Sequence, residues 1–177
     1  MSFRLGTNAR NCFFVVEREA DGREPLVRCI NFGLDGMQSF SFTLEEERSA
    51  VLVPAGQVGT YLYEPNASVL KAGAFKQIAV RTGVKKLQVN SHLYTADHLV
   101  SDFPGRRFRV DEVLSFTGKL CKGLSKTIPQ ANITVRNFPL SVEELRKRTK
   151  ITDGGHVYLF ATTLVDGEKV LVKCSKA

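Results

Sequence analysis

Apolar and polar positions divide the chain into short strand-like runs at the start, a helix-bearing middle, and a regular strand–helix alternation from Arg106 onwards. Asn11 to Glu19 and Pro25 to Phe32 are apolar runs separated by Asp21-Gly22, a pair that tolerates the positive φ of a hairpin turn. Phe13, Phe14, Val15 and Val16 put apolar groups on both faces of the first run, so one face of this hairpin needs a cover. Met37 to Phe42 predicts a third strand. Thr43 and Glu46 then stand at capping-box spacing for a short acidic helix. After the connection Pro54 to Gly59, Tyr61-Leu62-Tyr63 reads as a strand closed by Glu64-Pro65. Asn66 is the expected N-cap of a helix over Ala67 to Thr82, with Gly83 as its stop. Val69, Leu70, Ala74, Phe75 and Ile78 form its apolar stripe. Gly73 costs about 1 kcal/mol inside a helix, which predicts the close approach of another backbone.

Phe103-Pro104-Gly105 marks a second boundary. Beyond it Phe108, Val110, Leu114 and Phe116 alternate along one strand face, with Arg107 and Arg109 on the other. A helix over Thr117 to Lys126, a strand over Ala131 to Asn137, a helix over Val142 to Lys150 and strands over Val157 to Leu164 and Lys169 to Cys174 complete the order β-α-β-α-β-β. The last two strands are joined by an Asp166-Gly167 turn. Such an order implies a mixed sheet with helices packed on it and a terminal antiparallel hairpin. The fold class is therefore α+β or α/β. The chain divides into a β-rich segment at 1–60, a small piece at 61–105 and the regular unit at 106–177.

The second helix of that unit carries the clearest local code. Ser141 and Glu144 form a capping box, Leu140 and Leu145 occupy the positions of a hydrophobic staple, and Asp153-Gly154-Gly155 supplies a stop. Val142, Leu145 and Thr149 fall on one side, while Arg146, Lys147 and Lys150 share an arc of about 100° on another. In the preceding helix Lys119, Lys122 and Lys126 fall within about 60°, opposite Leu120 and Leu124.

Composition changes this picture mainly through charge. The chain has 177 residues, is 43% hydrophobic and carries a net charge of +7. Residues 1–105 hold 11 Lys and Arg against 11 Asp and Glu, and residues 106–177 hold 14 against 7, so the whole excess lies in the second part. A confined excess is the footprint of a polyanion partner or of a solubilising surface. The first alternative selects Arg106, Arg107, Arg109, Lys119, Lys122, Lys126, Arg136, Asn137, Arg146, Lys147 and Lys150 as candidate RNA-contacting residues. Arg136 and Asn137 stand at the carboxyl end of the central strand, where α/β sheets bind ligands. Phe108, Phe116 and Phe160 follow core periodicity, which favours recognition of structured RNA by backbone and shape over base stacking.

Catalytic signatures are missing. No GxGxxG, P-loop or HExxH occurs, and Ser91, His92 and Asp97 lack a nucleophile-elbow context. Cys12, Cys29, Cys121 and Cys174 show no metal spacing, so neither a metal nor a catalytic residue is expected; Cys12 and Cys29 are the one pair placed to face each other across a hairpin. Widely spaced thiols and the lack of an apolar run of ~20 residues point to a cytoplasmic protein without a membrane partner.

Three stretches together resemble a known family: Tyr61-Leu62-Tyr63-Glu64-Pro65-Asn66-Ala67 through Phe75, Asn90-Ser91-His92-Leu93-Tyr94 through Arg106, and Ala131-Asn132-Ile133-Thr134-Val135-Arg136-Asn137-Phe138 through Thr163. They are similar to the C-terminal region of a Bacteroidetes-type family of class I S-adenosylmethionine-dependent methyltransferases. The resemblance covers about Tyr61 to Lys176 and implies a ferredoxin-like piece followed by a THUMP-like domain. It also implies a parent enzyme that uses S-adenosylmethionine and an N-terminal methyltransferase domain as partner. Residues 1–60 are then the last strands of that domain or a linking segment. The glycine-rich cofactor loop is missing from these residues, so no cofactor is expected in this chain. The expected role is to bind and position structured RNA. The alternative is a protein-interaction or dimerisation module that contacts its own catalytic domain or an acidic partner.

Overall fold

The computed structural model describes Gly22, residues 24–33 and residues 36–177. The expected first hairpin arm, Asn11 to Glu19, lies outside the described residues, as does Cys12 and with it the Cys12–Cys29 pairing. Cys29, Cys121 and Cys174 are buried. The run after Pro25 forms β1 (Leu26–Gly33), which pairs antiparallel with β2 (Gly36–Thr43) as a separate two-stranded sheet. The capping box at Thr43 and Glu46 starts α1 (Leu44–Ser49) as expected.

The predicted helix 67–82 is two helices. α2 (Ala67–Ala72) ends where Gly73 takes φ +79, and α3 (Gln77–Thr82) ends at Gly83 with φ +71. Gly73 is needed for its left-handed conformation and not for packing, since a Cβ added there would meet nothing. Asn66 makes no side-chain cap; its amide donates to Gln38 Oε1 at 2.7 Å and so ties this region to β2. The N-terminus of α3 is capped from another element. The Glu47 carboxylate of α1 accepts from the amides of Phe75, Lys76 and Gln77 at 2.8–3.1 Å. Glu46 also pairs with Arg81 at 2.7 Å, so α1 fastens the β1–β2 unit to α3.

The remaining strands are β3 (Tyr61–Pro65), β4 (Lys85–Lys86), β5 (Tyr94–Ala96), β6 (Gly105–Ser115), β7 (Asn132–Arg136), β8 (Tyr158–Thr163) and β9 (Lys169–Lys176). α4 (Gly118–Thr127) and α5 (Val142–Thr149) complete the β-α-β-α-β-β order read from the sequence. All seven strands form one sheet in the order β4-β5-β3-β6-β9-β8-β7, in which β7 and β8 run parallel and the other pairs antiparallel. Phe103-Pro104-Gly105 does not interrupt it. Gly105 lies opposite Pro65 in the β3–β6 ladder, where a Cβ would collide with Pro65 and the Glu64 carbonyl.

One expectation about β6 is wrong. A bulge between Val110 and Glu112 shifts its register against β9, and an extra residue reverses the side to which later side chains point. Phe108 and Val110 pack with Leu62, Phe160, Val170, Val172 and Cys174 on one face of the sheet. Leu114 and Phe116 pack on the opposite face with Leu171, Leu159 and the helix residues Leu124 and Leu145. The sheet also curls about the Phe108 face. Phe108 and Phe160 have ring centroids 4.9 Å apart although β9 lies between their strands, a separation of about 9.6 Å in a flat sheet.

Candidate nucleic-acid interface

The helices that carry the expected lysines form by local rules. Thr117 Oγ1 accepts from the Leu120 amide at 3.1 Å, and Leu120 and Leu124 turn inward. In α5 the Ser141 and Glu144 capping box is present in both directions, and Leu140 packs with Leu145 in the same cluster. α5 stops at Lys150, which takes φ +63, three residues before the expected Asp153-Gly154-Gly155 signal. α4 and α5 lie side by side on the same sheet face. Their outward residues Lys119, Lys122, Lys126, Lys147 and Lys150 are exposed, as is Arg148. Arg109 is exposed and Arg107 half-buried on that face too, opposite Tyr61 and Tyr63; Arg107 donates to the Ser101 carbonyl.

Arg146 does not belong to this surface. Its guanidinium donates to the carbonyls of Ile151 and Ala131 at 3.3 and 3.2 Å and pairs with Asp153, so it ties the helix end to the start of β7. Asn137 is a turn residue with φ +51, and its carbonyl accepts from Thr163 Oγ1 at 2.7 Å. A short polar side chain tolerates this conformation, which explains asparagine at the strand end.

Arg106 and Arg136 form a second site on the curled face. Glu64 follows Leu62 by two residues, so it points to the Phe108 side and lies opposite Arg106 in the ladder. Its side chain is 5% exposed. Arg106 donates to Glu64 Oε2 through Nε at 2.9 Å and through Nη2, while Arg136 Nη2 donates to Oε1 at 2.8 Å. β6, β9 and β8 separate β3 from β7, about 19 Å in a flat sheet, and only the curl allows the Arg136 contact. Arg106 also lies over the Phe108 ring, 5.4 Å from its centroid.

His92 lies near enough to this junction to feel the charge of Arg136, in a role apart from the hydrolase pattern considered above. It stacks on Phe75 with centroids 4.0 Å apart, has φ +50, and its Nδ1 has no partner. Ser91 is fully buried and donates to the Gln88 carbonyl at 3.0 Å. Burial lowers the His92 pKa, helped by the charges of Lys86 and Arg136. Lys86 is itself buried, donates to the Val89 carbonyl at 2.7 Å, and is pushed down to about 8 chiefly by desolvation. Sequence reasoning missed Glu64 and Lys86, and weighed His92 only within the hydrolase pattern. The one local signal for Glu64 is a carboxylate at an inward position of an otherwise apolar strand. Among the described residues no group of three His, Cys, Asp or Glu side chains could hold a metal, and no helix is long and apolar enough to cross a membrane.

Comparison with known proteins agrees with this architecture. Residues 61–104 match a ferredoxin-like domain family and residues 105–176 a THUMP domain-like family. The crystal structure of a provisionally assigned methyltransferase from Porphyromonas gingivalis W83 superposes with a TM-score of 0.82 and 47% sequence identity. The match covers 86% of this chain and 38% of that protein, so the chain spans well under half the length of its neighbour. No curated protein matches. The chain thus joins a ferredoxin-like domain to a THUMP-like domain within one continuous sheet, and Glu64 of the first holds Arg106 and Arg136 of the second.

Proposed function

We propose that this chain is the RNA-positioning, non-catalytic portion of an S-adenosylmethionine-dependent RNA methyltransferase. The observation that supports it most is the set of exposed lysines on α4 and α5, within a domain type that typically binds RNA. Cations spaced along two adjacent helices neutralise phosphates without reading bases, which suits a folded RNA held by its backbone. Methyl transfer belongs to the catalytic domain of the parent, and that domain supplies the cofactor site. Reversing charge at Lys119, Lys122 and Lys147 lowers affinity for structured RNA and flattens its dependence on salt. Unchanged binding across that series refutes the surface. Calorimetry that detects micromolar binding of S-adenosylmethionine to this chain refutes the non-catalytic assignment.

A contact with the parent's own catalytic domain is the second reading, and β1–β2 favours it. Val27 and Cys29 of β1 turn inward with Phe40 and Phe42, while Leu26, Ile30, Phe32 and Met37 are exposed. An apolar strip of this kind on a two-stranded sheet fits a protein neighbour. Phe32→Ser with Met37→Ser then loosens the parent protein, as read by its proteolysis rate, and leaves RNA affinity of the present chain unchanged.

A further inference from the structure

Glu64 does not neutralise the arginines that converge on it. Its two oxygens meet two full positive charges, which leaves the cluster at +1. Each guanidinium carries five donors in one plane, and Glu64 engages only part of each fork. Arg136 Nε has no acceptor. Thr162, its register partner on β8, is fully buried with an unpartnered hydroxyl. The two guanidiniums offer more donors than the one carboxylate accepts from. Its outer side is open, since the side chains of Arg106 and Arg136 are 53% and 38% exposed. A carboxylate fixed beside two partly exposed guanidiniums holds them close together and preorganises them for a second anion.

We propose that the Arg106–Glu64–Arg136 junction binds one phosphate group of an RNA chain, with Glu64 as a positioning residue; the identity of the ligand as RNA rests on the function proposed above. The site lies on the curled face of the sheet, opposite α4 and α5, and it exists only where the ferredoxin-like and THUMP-like domains share that sheet. An RNA bound at both places therefore wraps an edge of the molecule. Arginine in place of lysine suits this task because a planar fork contacts two phosphate oxygens at once.

The test is a titration of the isotopically labelled full chain, followed by NMR at the His92 imidazole and the arginine Nε–H groups. Inorganic phosphate and the dinucleotide UpU, which has a single internal phosphodiester, are the probes. A saturable change that moves the His92 pKa upward is expected with at least one of them. A stronger response to UpU identifies an internal phosphate, and a stronger response to inorganic phosphate identifies a terminal one. The response is lost in Arg136→Gln and weakened about tenfold in Arg136→Lys, which keeps charge but not the fork. Lys147→Glu leaves it intact. No saturable change with either probe across millimolar concentrations overturns the site, and because that measurement uses the wild-type chain it does not depend on any variant folding. If structured RNA binds while neither probe moves His92, the subsite fails and the RNA function stands. If a probe binds here and structured RNA does not bind, the phosphate site stands and the RNA function fails.

Discussion

The two cationic regions of this molecule are built in opposite ways. The lysines of α4 and α5 stand on helices that cap themselves, contact solvent, and lie within a short span of sequence. Arg106 and Arg136 are separated by 30 positions and meet on a carboxylate from a third strand, 72 positions from Arg136. The first region is an exposed field of charge, and its contribution to the fold is small because exposed charges are screened. The second is a fixed geometry built on a buried carboxylate, whose charge is costly to leave unpaired. Attracting a polyanion and orienting one of its phosphates, the tasks proposed above, differ physically, and the two constructions suit them.

The comparison breaks most readily at Glu64. Glu64→Ala removes the charge-assisted hydrogen bonds from Arg106 and Arg136 and leaves two partly exposed arginines near each other, and we expect a loss of about 3 kcal/mol in urea unfolding. A loss below about 1 kcal/mol shows that the junction does not hold the two domains together. Helix capping gives the next effect, and again the long-range device outweighs the local one. Glu47→Ala uncovers three amides at the start of α3 and costs about 2 kcal/mol. Ser141→Ala removes a single side-chain cap and costs about 1 kcal/mol. Equal costs count against Glu47 as the main fastening of α1 to α3.

Lys86 sharpens the contrast through pH. Burial holds it at about 8 in the folded chain against an ordinary value of 10.5. Between those values the unfolded chain binds a proton that the folded chain does not, so the contribution of Lys86 to stability rises with pH through that window. Wild type therefore gains on Lys86→Met as pH is raised from 8 to 10, and a difference that stays flat shows that the ammonium is solvated. The smallest effect belongs to the helices. Lys119→Glu with Lys122→Glu changes stability by no more than about 0.5 kcal/mol. The same pair lowers the slope of log affinity against log salt by about 0.9 for each phosphate that is no longer neutralised.

Much of the C-terminal unit is legible along the chain. The capping box at Ser141 and the staple between Leu140 and Leu145 act within little more than one helical turn, so local reading finds them. The corrections share another origin. Gly73, expected to admit a neighbouring backbone, instead ends a helix, because the dihedral preference of glycine serves both roles equally and only the position of Lys76 and Gln77 against Glu47 selects one. The bulge after Val110 moves Leu114 and Phe116 to the other face, and an uninterrupted alternation in sequence conceals an inserted residue. Arg146 reads as a member of a cationic edge, yet Asp153 and two carbonyls occupy it.

By itself, the sequence determined the strand and helix order from Arg106 onwards, the segregation of lysines from the apolar faces of α4 and α5, and the concentration of positive charge in the last 72 residues. These properties follow from periodicity, capping and counting, which depend on near neighbours alone. Only the tertiary structure decided that β3 and β6 continue one sheet across Phe103-Pro104-Gly105, and that this sheet curls. The curl brings Arg136 to Glu64 across three intervening strands. That meeting depends on the summed twist and register of every strand between them, a quantity no local stretch of residues encodes.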